Sequence, residues 1–252
     1  MRLNNRVAIV TGAGAGIGKA IALRYACEGA KVVVAEINAE TGQATADEIR
    51  SLKQEATFVR TDVAEESDVR RMVETAFERY ERVDILVNNA GVLLDGKDKR
   101  VHELSNEVWE RTLAVNLRGH WLCSKYVIPI MLKQGAGCII NLASPTGMRG
   151  YQNLTAYSTS KGGILALTRA MAADYSRDHI RVNAIVPGTI DTPMNASTLS
   201  DERRRKQLIA MAPSGRLGTA RDLAGVAVFL ASDDAEYCMG GSYMVDGGLM
   251  AV

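Results

Sequence analysis

Seven short apolar runs, separated by amphipathic stretches, restrict the fold more than any other feature of this chain. They are "VAIV" (7–10), "KVVVAE" (31–36), "ATFVR" (56–60), "DILV" (84–87), "CIINLA" (138–143), "RVNAIV" (181–186) and "GSYMVD" (241–246). Each is a near-continuous hydrophobic run, not an in–out alternation, which marks strands covered by helices on both faces. Between them, Val69, Met72, Val73, Ala76, Phe77 and Tyr80 recur at i, i+3, i+4 spacing and lay one apolar stripe on a sheet. Gly29 stands where the first helix should stop, and Ser105 stands as the N-cap of "NEVWERTLAVNL". Strands alternating with helices imply right-handed crossovers, so the expected fold is α/β, a doubly wound parallel sheet of about seven strands.

A length of 252 residues suits one such domain, and no repeat, low-complexity segment or linker divides it. The expectation is a single domain over residues 1–252. A net charge of +1 argues against a nucleic-acid or anionic-membrane surface. The one basic cluster, Arg203 to Lys206, follows Asp201 and Glu202 and reads as a solvated helix face. Cys27, Cys123, Cys138 and Cys238 are scattered without a CxxC pair and read as buried, reduced thiols, which fits a cytoplasmic protein. His102, His120 and His179 lie far apart, so no metal site is expected. The first strand begins too early for a signal peptide, and no apolar run approaches the roughly 20 residues of a membrane helix.

The turn after the first run, "TGAGAGIG" (11–18), is rich enough in glycine to mimic several phosphate loops. A Walker A loop needs Ser or Thr after Gly18-Lys19, and Ala20 stands there. GxGxxG also fails, because a glycine is required at Ile17 or at Lys19. The pattern that matches is TGxxxGxG, with Gly12, Gly16 and Gly18 as its glycines. Such glycines let backbone N–H groups approach a pyrophosphate at the positive end of a helix. The same kind of turn also occurs for tight packing alone. Gly14 falls outside the pattern and is expected to tolerate alanine better than its neighbours.

Glu36 ends the second strand about 20 residues beyond the loop, where an acidic residue grips the adenosine ribose hydroxyls. It could equally be an ordinary surface glutamate. A carboxylate there repels a 2′-phosphate, and neither Ala15 nor Ile37 offers a compensating cation, so NAD is expected over NADP. Farther on, Tyr157 and Lys161 in "AYSTSKGG" are four apart, one helical turn on one face. A free tyrosine with a pKa of about 10 is a poor base at neutral pH. A nearby ammonium favours the phenolate and is expected to bring that pKa toward the working range.

With these motifs in order, the chain resembles the short-chain dehydrogenase/reductase family over essentially its full length. "TGAGAGIG" is similar to that family's cofactor loop, and "TDV" (61–63) to the segment whose aspartate, here Asp62, approaches the adenine. "NNAG" (88–91), "LAVNL" (113–117), "NLAS" (141–144), "AYSTSK" (156–161) and "VPGTIDT" (186–192) complete the set. The resemblance implies a Rossmann-type fold and an Asn116–Ser144–Tyr157–Lys161 tetrad. Tyr157 would exchange a proton with the substrate oxygen, Ser144 would stabilise that oxygen, and Lys161 would bind the nicotinamide ribose and lower the tyrosine pKa. Asn116 would hold a water linking Lys161 to solvent. The NAD site it implies comprises Gly12, Gly16, Ile17, Gly18, Glu36, Asp62, Val63, Asn88, Ala90, Gly91, Tyr157, Lys161, Pro187, Gly188, Ile190 and Thr192. One departure is local: Ala143 precedes Ser144 where the family often has serine, and Pro145 follows, pushing Ser144 toward an extended conformation.

The resemblance further implies a lid over about residues 190–215, with substrate walls at Met194, Asn195 and the stretch Met148 to Asn153, where Gln152 and Asn153 could bond hydroxyls. Ser144 and Tyr157 would meet the reacting oxygen. "IDTPMNA", "YSTSKGG" and "MVDGGLM" are similar to the corresponding segments of sugar and polyol dehydrogenases such as glucose 1-dehydrogenases. The expected reaction is therefore NAD-dependent oxidation of a sugar, polyol or related secondary alcohol. The alternative is a 3-oxoacyl thioester reductase; more remote is a protein that senses NAD without turnover. A homotetramer is expected from the same resemblance, and the apolar C-terminus "YMVDGGLMAV" suits burial against a neighbouring subunit.

Overall fold

The computed structural model describes residues 1–251. The strands are β1 (Val7–Thr11), β2 (Lys31–Glu36), β3 (Ala56–Arg60), β4 (Ile85–Asn88), β5 (Gly137–Leu142), β6 (Ile180–Pro187), β7 (Ile190–Asp191), β8 (Gly218–Thr219) and β9 (Ser242–Val245). The helices are α1 (Gly16–Cys27), α2 (Ala39–Ser51), α3 (Glu66–Tyr80), α4 (Asn106–Leu113), α5 (Gly119–Gln134), α6 (Thr155–Tyr175), α7 (Ala196–Ser200), α8 (Glu202–Met211) and α9 (Ala220–Ala231). Seven strands form one parallel sheet in the order β3-β2-β1-β4-β5-β6-β9. All seven correspond to the runs read from the sequence. The β7–β8 pair has two residues per strand and left no such run.

Alternate residues of one strand feed opposite layers of the core. Ala8 and Val10 pack with Ile21 and Tyr25 of α1 and with Leu223 and Val228 of α9. Val7 and Ile9 pack with Val69, Met72 and Val73 of α3 and with Leu122 and Val127 of α5. Both faces of the sheet are therefore dry, as near-continuous apolar strands require. The predicted α3 stripe is buried except for Phe77, which is 46% exposed. Gly29 follows the C-cap of α1 with φ +90°, and the Ser105 hydroxyl accepts from Val108 N at 3.3 Å.

The sequence order reverses between β1 and β4: β2 and β3 lie on one side, and β5, β6 and β9 on the other. In such sheets the crevice at the carboxyl ends of the strands beside that reversal takes the ligand. Helices α4 and α5 do not run on as one continuous α-helix, because a π-turn (Ala114–Arg118) carrying Asn116 joins them. Two cysteines depart from expectation, Cys27 being exposed and Cys238 half-buried. Among the described residues, no helix is long and apolar enough to cross a membrane, and no group of three His, Cys, Asp or Glu could hold a metal.

Candidate active site

Two clefts open at the carboxyl ends of the strands. The first follows β1 to β4: Gly12, Gly16 and Ile17 line it, then Glu36, then Asp62 and Val63, then Ala90 and Gly91. Gly12 has φ +62°, and a Cβ there would come within 2.9 Å of Ala90 Cα. Gly18 lies beneath the cleft, where a Cβ would overlap Gly12 O. Gly12 and Gly18 thus let the loop pack closely on Ala90 and on itself, and the N-terminus of α1 opens on the cleft at Gly16 and Ile17, where free backbone N–H groups suit a pyrophosphate. Beside that terminus, Glu36 aims a carboxylate into the cleft. Its Oε2 accepts from Gly14 N at 2.9 Å, and its Oε1 accepts from Ile37 N at 2.9 Å and Asn38 N at 3.1 Å. A carboxylate has about four acceptor positions, so capacity remains for a ribose diol.

Gly14 is more than filler. A Cβ there would overlap Thr41 Oγ1 and come within 2.8 Å of Glu36 Cγ, so alanine at this position would press on the Glu36 side chain. Both contacts are with side chains, whereas a Cβ at Gly12 or Gly18 meets backbone and Gly12 and Gly16 have positive φ, so Gly14 is still the easier of these positions to substitute. Asn88 also stands apart from the cleft. It is buried in the sheet, donating to Asn141 Oδ1 at 2.9 Å and Ser124 Oγ at 3.2 Å, and it cross-links β4 to β5 and α5. The residue that works on the glycine loop is its neighbour Asn89. Asn89 Nδ2 donates to Thr11 O at 2.8 Å and Gly12 O at 3.1 Å, and Asn89 N donates to Thr11 Oγ1 at 3.0 Å. The doubled asparagine was visible in the sequence; which one faced the loop depended on strand parity. Arg111 was missed too. It lines the first cleft with its Nη2 3.6 Å from Asp62 Oδ2.

The second cleft adjoins the first through Ile17, Asn89, Gly91, Thr192 and Met194, which line both. Its walls bring together Ser144, Tyr157, Lys161, Pro187, Gly188 and Ile190. Ser144 is extended (φ −166°, ψ 153°), as Pro145 dictates, and its Oγ accepts from Thr146 N at 3.3 Å. Lys161 is buried at 4% exposure, donates from Nζ to Leu142 O at 2.7 Å, and lies 5.6 Å from the centre of the Tyr157 ring. Burial pushes the Tyr157 phenol up to about 12, with the Ser144 hydroxyl opposing, and pulls the Lys161 ammonium down to about 8. Burial thus moves the two groups in opposite directions, each away from its charged form.

Asn116 is fully buried. Its Oδ1 accepts from Val92 N at 2.7 Å, while Nδ2 donates to Val92 O at 3.0 Å and Ser160 Oγ at 3.1 Å. The side chain sits in a π-turn, a distortion often found at functional sites, and it ties the loop after β4 to α6. Asp98 escaped the sequence reading. It is buried, and its Oδ1 and Oδ2 accept from Ala156 N at 3.1 Å and Tyr157 N at 2.9 Å, capping α6 from another segment. No local motif marks an acceptor 58 residues away from the donor it serves.

Of the expected substrate walls, Tyr151, Gln152, Asn153, Met194 and Asn195 line the second cleft, whereas Met148 lies outside it at 47% exposure. Asn195 Nδ2 is committed to Ile190 O at 2.8 Å, which limits its freedom to bind a hydroxyl. From the segment after β7, Ser197 and Thr198 donate to Asp95 Oδ2 at 3.2 and 3.0 Å, and α8 adds Arg204, Gln207, Leu208 and Met211 to the lining. The basic run was expected to be a solvated helix face: Arg203, Arg204 and Lys206 are exposed, Arg204 lining the cleft as well, and Arg205 is half-buried.

A family model described as enoyl-(acyl carrier protein) reductase matches residues 12–250. The chain is 39% identical to 2-(R)-hydroxypropyl-CoM dehydrogenase of Xanthobacter autotrophicus, over 98% of this chain and all of that protein. It is 40% identical to cyclohexanol dehydrogenase of an Acinetobacter strain, over 98% and 95% of the two chains. A 3-oxoacyl-(acyl-carrier-protein) reductase of Thermotoga maritima is 36% identical over 99% of this chain and all of that one. Among solved structures, a gluconate 5-dehydrogenase assigned as NAD(P)-dependent, from Beutenbergia cavernae and with NADP bound at low occupancy, superposes with a TM-score of 0.94. It is 38% identical, with 99% and 98% of the two chains covered.

Proposed function

The chain belongs to the short-chain dehydrogenase/reductase family, an oxidoreductase family acting on hydroxyl groups, and on that premise we propose that it oxidises a secondary alcohol with NAD. The observation that carries the reading is the junction of the two clefts. The cleft at the N-terminus of α1, with the Glu36 carboxylate in it, runs into a chamber walled by Ser144, Tyr157 and Lys161. When bound, a nicotinamide cofactor supplies the hydride acceptor, and the protein supplies placement and proton transfer.

Gly12, Gly16 and Gly18 would hold the pyrophosphate, Glu36 the adenosine ribose, Asp62 and Val63 the adenine side, and Pro187, Gly188, Ile190 and Thr192 the carboxamide. The negative charge of Glu36 disfavours a 2′-phosphate, and the nearest cation in this cleft, Arg111, faces Asp62. Tyr157 takes the hydroxyl proton of the substrate, and Ser144 donates a hydrogen bond to the same oxygen as charge develops on it. An ammonium at Lys161, 5.6 Å from the centre of the Tyr157 ring, favours the phenolate. Asn116 braces the wall between them and the loop after β4. Residues 190–215 would close over the substrate, and the free outer edge of β9, with Met244 40% exposed, supports assembly into a homotetramer.

The test is NADH absorbance with saturating NAD across sugars, polyols, cyclic alcohols and hydroxy acids. The reading predicts turnover of at least one secondary alcohol in that set. If the enzyme instead turns over only 3-oxoacyl thioesters, with NADPH, the thioester reductase reading replaces it.

A further inference from the structure

Of the basic run on α8, Arg204 alone lines the substrate cleft, and it remains exposed there. The residues of this helix that line the substrate cleft are Arg204, Gln207, Leu208 and Met211, at i, i+3, i+4 and i+7, which is one face of a helix. Arg203, Arg205 and Lys206 lie off that face, and Lys206 faces Glu202 at 3.9 Å. Arg204 is therefore the single charge on a stripe that is otherwise apolar or neutral. Among the described residues, no carboxylate lies within 4.0 Å of it.

The other charges of the cleft deepen the imbalance. Its lining includes Asp95, Asp98, Lys99, Lys161 and Arg204. Both carboxylates are already engaged: Asp98 by the two N–H groups of α6, and Asp95 by the hydroxyls of Ser197 and Thr198. Lys161 is held at Leu142 O beside Tyr157. Lys99 joins Arg204 without a carboxylate partner among the described residues, its backbone carbonyl fixed by Thr155 Oγ1 at 2.7 Å. Three cations thus face two carboxylates across this chamber, and Lys99 and Arg204, both exposed, are the two cations with neither an ion-pair partner nor a fixed hydrogen bond from the charged group.

Resting on the alcohol dehydrogenase reading above, we propose that the substrate carries an anionic group remote from the reacting hydroxyl, and that Arg204 binds it when α8 covers the cleft, with Lys99 adding charge. A carboxylate or sulfonate suits the site best, because a guanidinium pairs with a planar or tripodal oxyanion through two parallel N–H bonds. The remaining contacts on the α8 stripe, Leu208 and Met211, suit a short apolar or partly hydroxylated body between that anion and the reacting carbon. The sequence alone could not separate Arg204 from its three basic neighbours, since their distinction depends on the helical phase relative to the cleft.

The test compares matched pairs of alcohols with NAD: an open-chain polyol against the aldonate of the same length, and cyclohexanol against a hydroxycyclohexanecarboxylate. The acid should exceed its neutral partner in kcat/KM by roughly tenfold or more, expressed mainly in KM. Arg204→Gln should collapse that preference by roughly 10- to 100-fold, whereas Arg203→Gln, off the cleft face, should preserve it. Raising the ionic strength should reduce the preference in the wild-type enzyme. Neutral and acidic partners oxidised equally well, or Arg203→Gln acting like Arg204→Gln, would overturn the proposal while leaving the dehydrogenase reading intact. Turnover of no alcohol in either pair, with turnover of a 3-oxoacyl thioester, would remove both.

Discussion

Asp98 Oδ2 accepts the backbone N–H of Tyr157 at 2.9 Å, so Tyr157 sits in the first turn of a helix fixed by a buried carboxylate from the loop after β4. Its other oxygen takes Ala156 N at 3.1 Å, and no side chain within α6 caps that terminus. Asp98→Ala should therefore lower kcat roughly tenfold by loosening Tyr157. It should also cost about 1–2 kcal/mol of stability, the usual loss for a missing cap. Asp98→Asn, which keeps one acceptor, should recover part of both. Steady-state kinetics, denaturant unfolding and an NADH titration check this; an unchanged kcat would show that the cap is structural only.

On the proposed reading, cofactor choice rests on Glu36. Glu36→Gln keeps the side-chain length and one acceptor but removes the charge that faces the ribose. The ratio of kcat/KM for NADP to that for NAD should rise by roughly 10- to 100-fold, since a like-charge contact is exchanged for a neutral one. Paired kinetics with the two cofactors measure it. An unchanged ratio would assign the selectivity elsewhere.

Gly14 gives a sharper test of the same geometry. A Cβ would press on Glu36 Cγ at 2.8 Å, so Gly14→Ala should raise KM for NAD roughly tenfold with little change in the fold. Circular dichroism and NAD titrations separate the two effects. Wild-type affinity in the variant would return Gly14 to the role of a spacer.

The pH profile follows from two opposite shifts. Oxidation needs the Tyr157 phenolate, and the phenol is pushed up to about 12, so log kcat/KM for oxidation should climb with pH through the neutral range. Lys161, pulled down to about 8, loses its proton on the way, and with it the charge that favours the phenolate. The climb should flatten above that point. Reduction needs the protonated phenol and should be flat on the acid side. Lys161→Met should slow oxidation at pH 7 and remove the break near 8. A break that persists in the variant would assign it to another group.

The sheet was legible because dry strands write themselves as unbroken Val- and Ile-rich runs, and β2 and β3 match their runs to the residue. The two-residue β7 and β8 are too short to carry such a pattern. Motif order was enough to expect Ser144, Tyr157 and Lys161 near one another, and they line one cleft. What escaped depends on phase and on long-range partners: Asn89 instead of Asn88, the π-turn that aims Asn116, the α8 face that selects Arg204, and the capping of α6 by Asp98. The upward shift of the Tyr157 phenol comes from burial, which the sequence does not reveal.

The central claim is that Tyr157 handles the proton in a chamber that NAD reaches from the adjoining cleft. It is tested most directly by Tyr157→Phe, assayed for NADH formation with a turned-over alcohol and, on the same sample, for NADH binding by fluorescence titration. The account predicts a fall in kcat of at least about 10³-fold, within the range attributed to general acid–base catalysis, and NADH affinity within about threefold of wild type, because phenylalanine retains the ring. Near-normal kcat in that variant would contradict it.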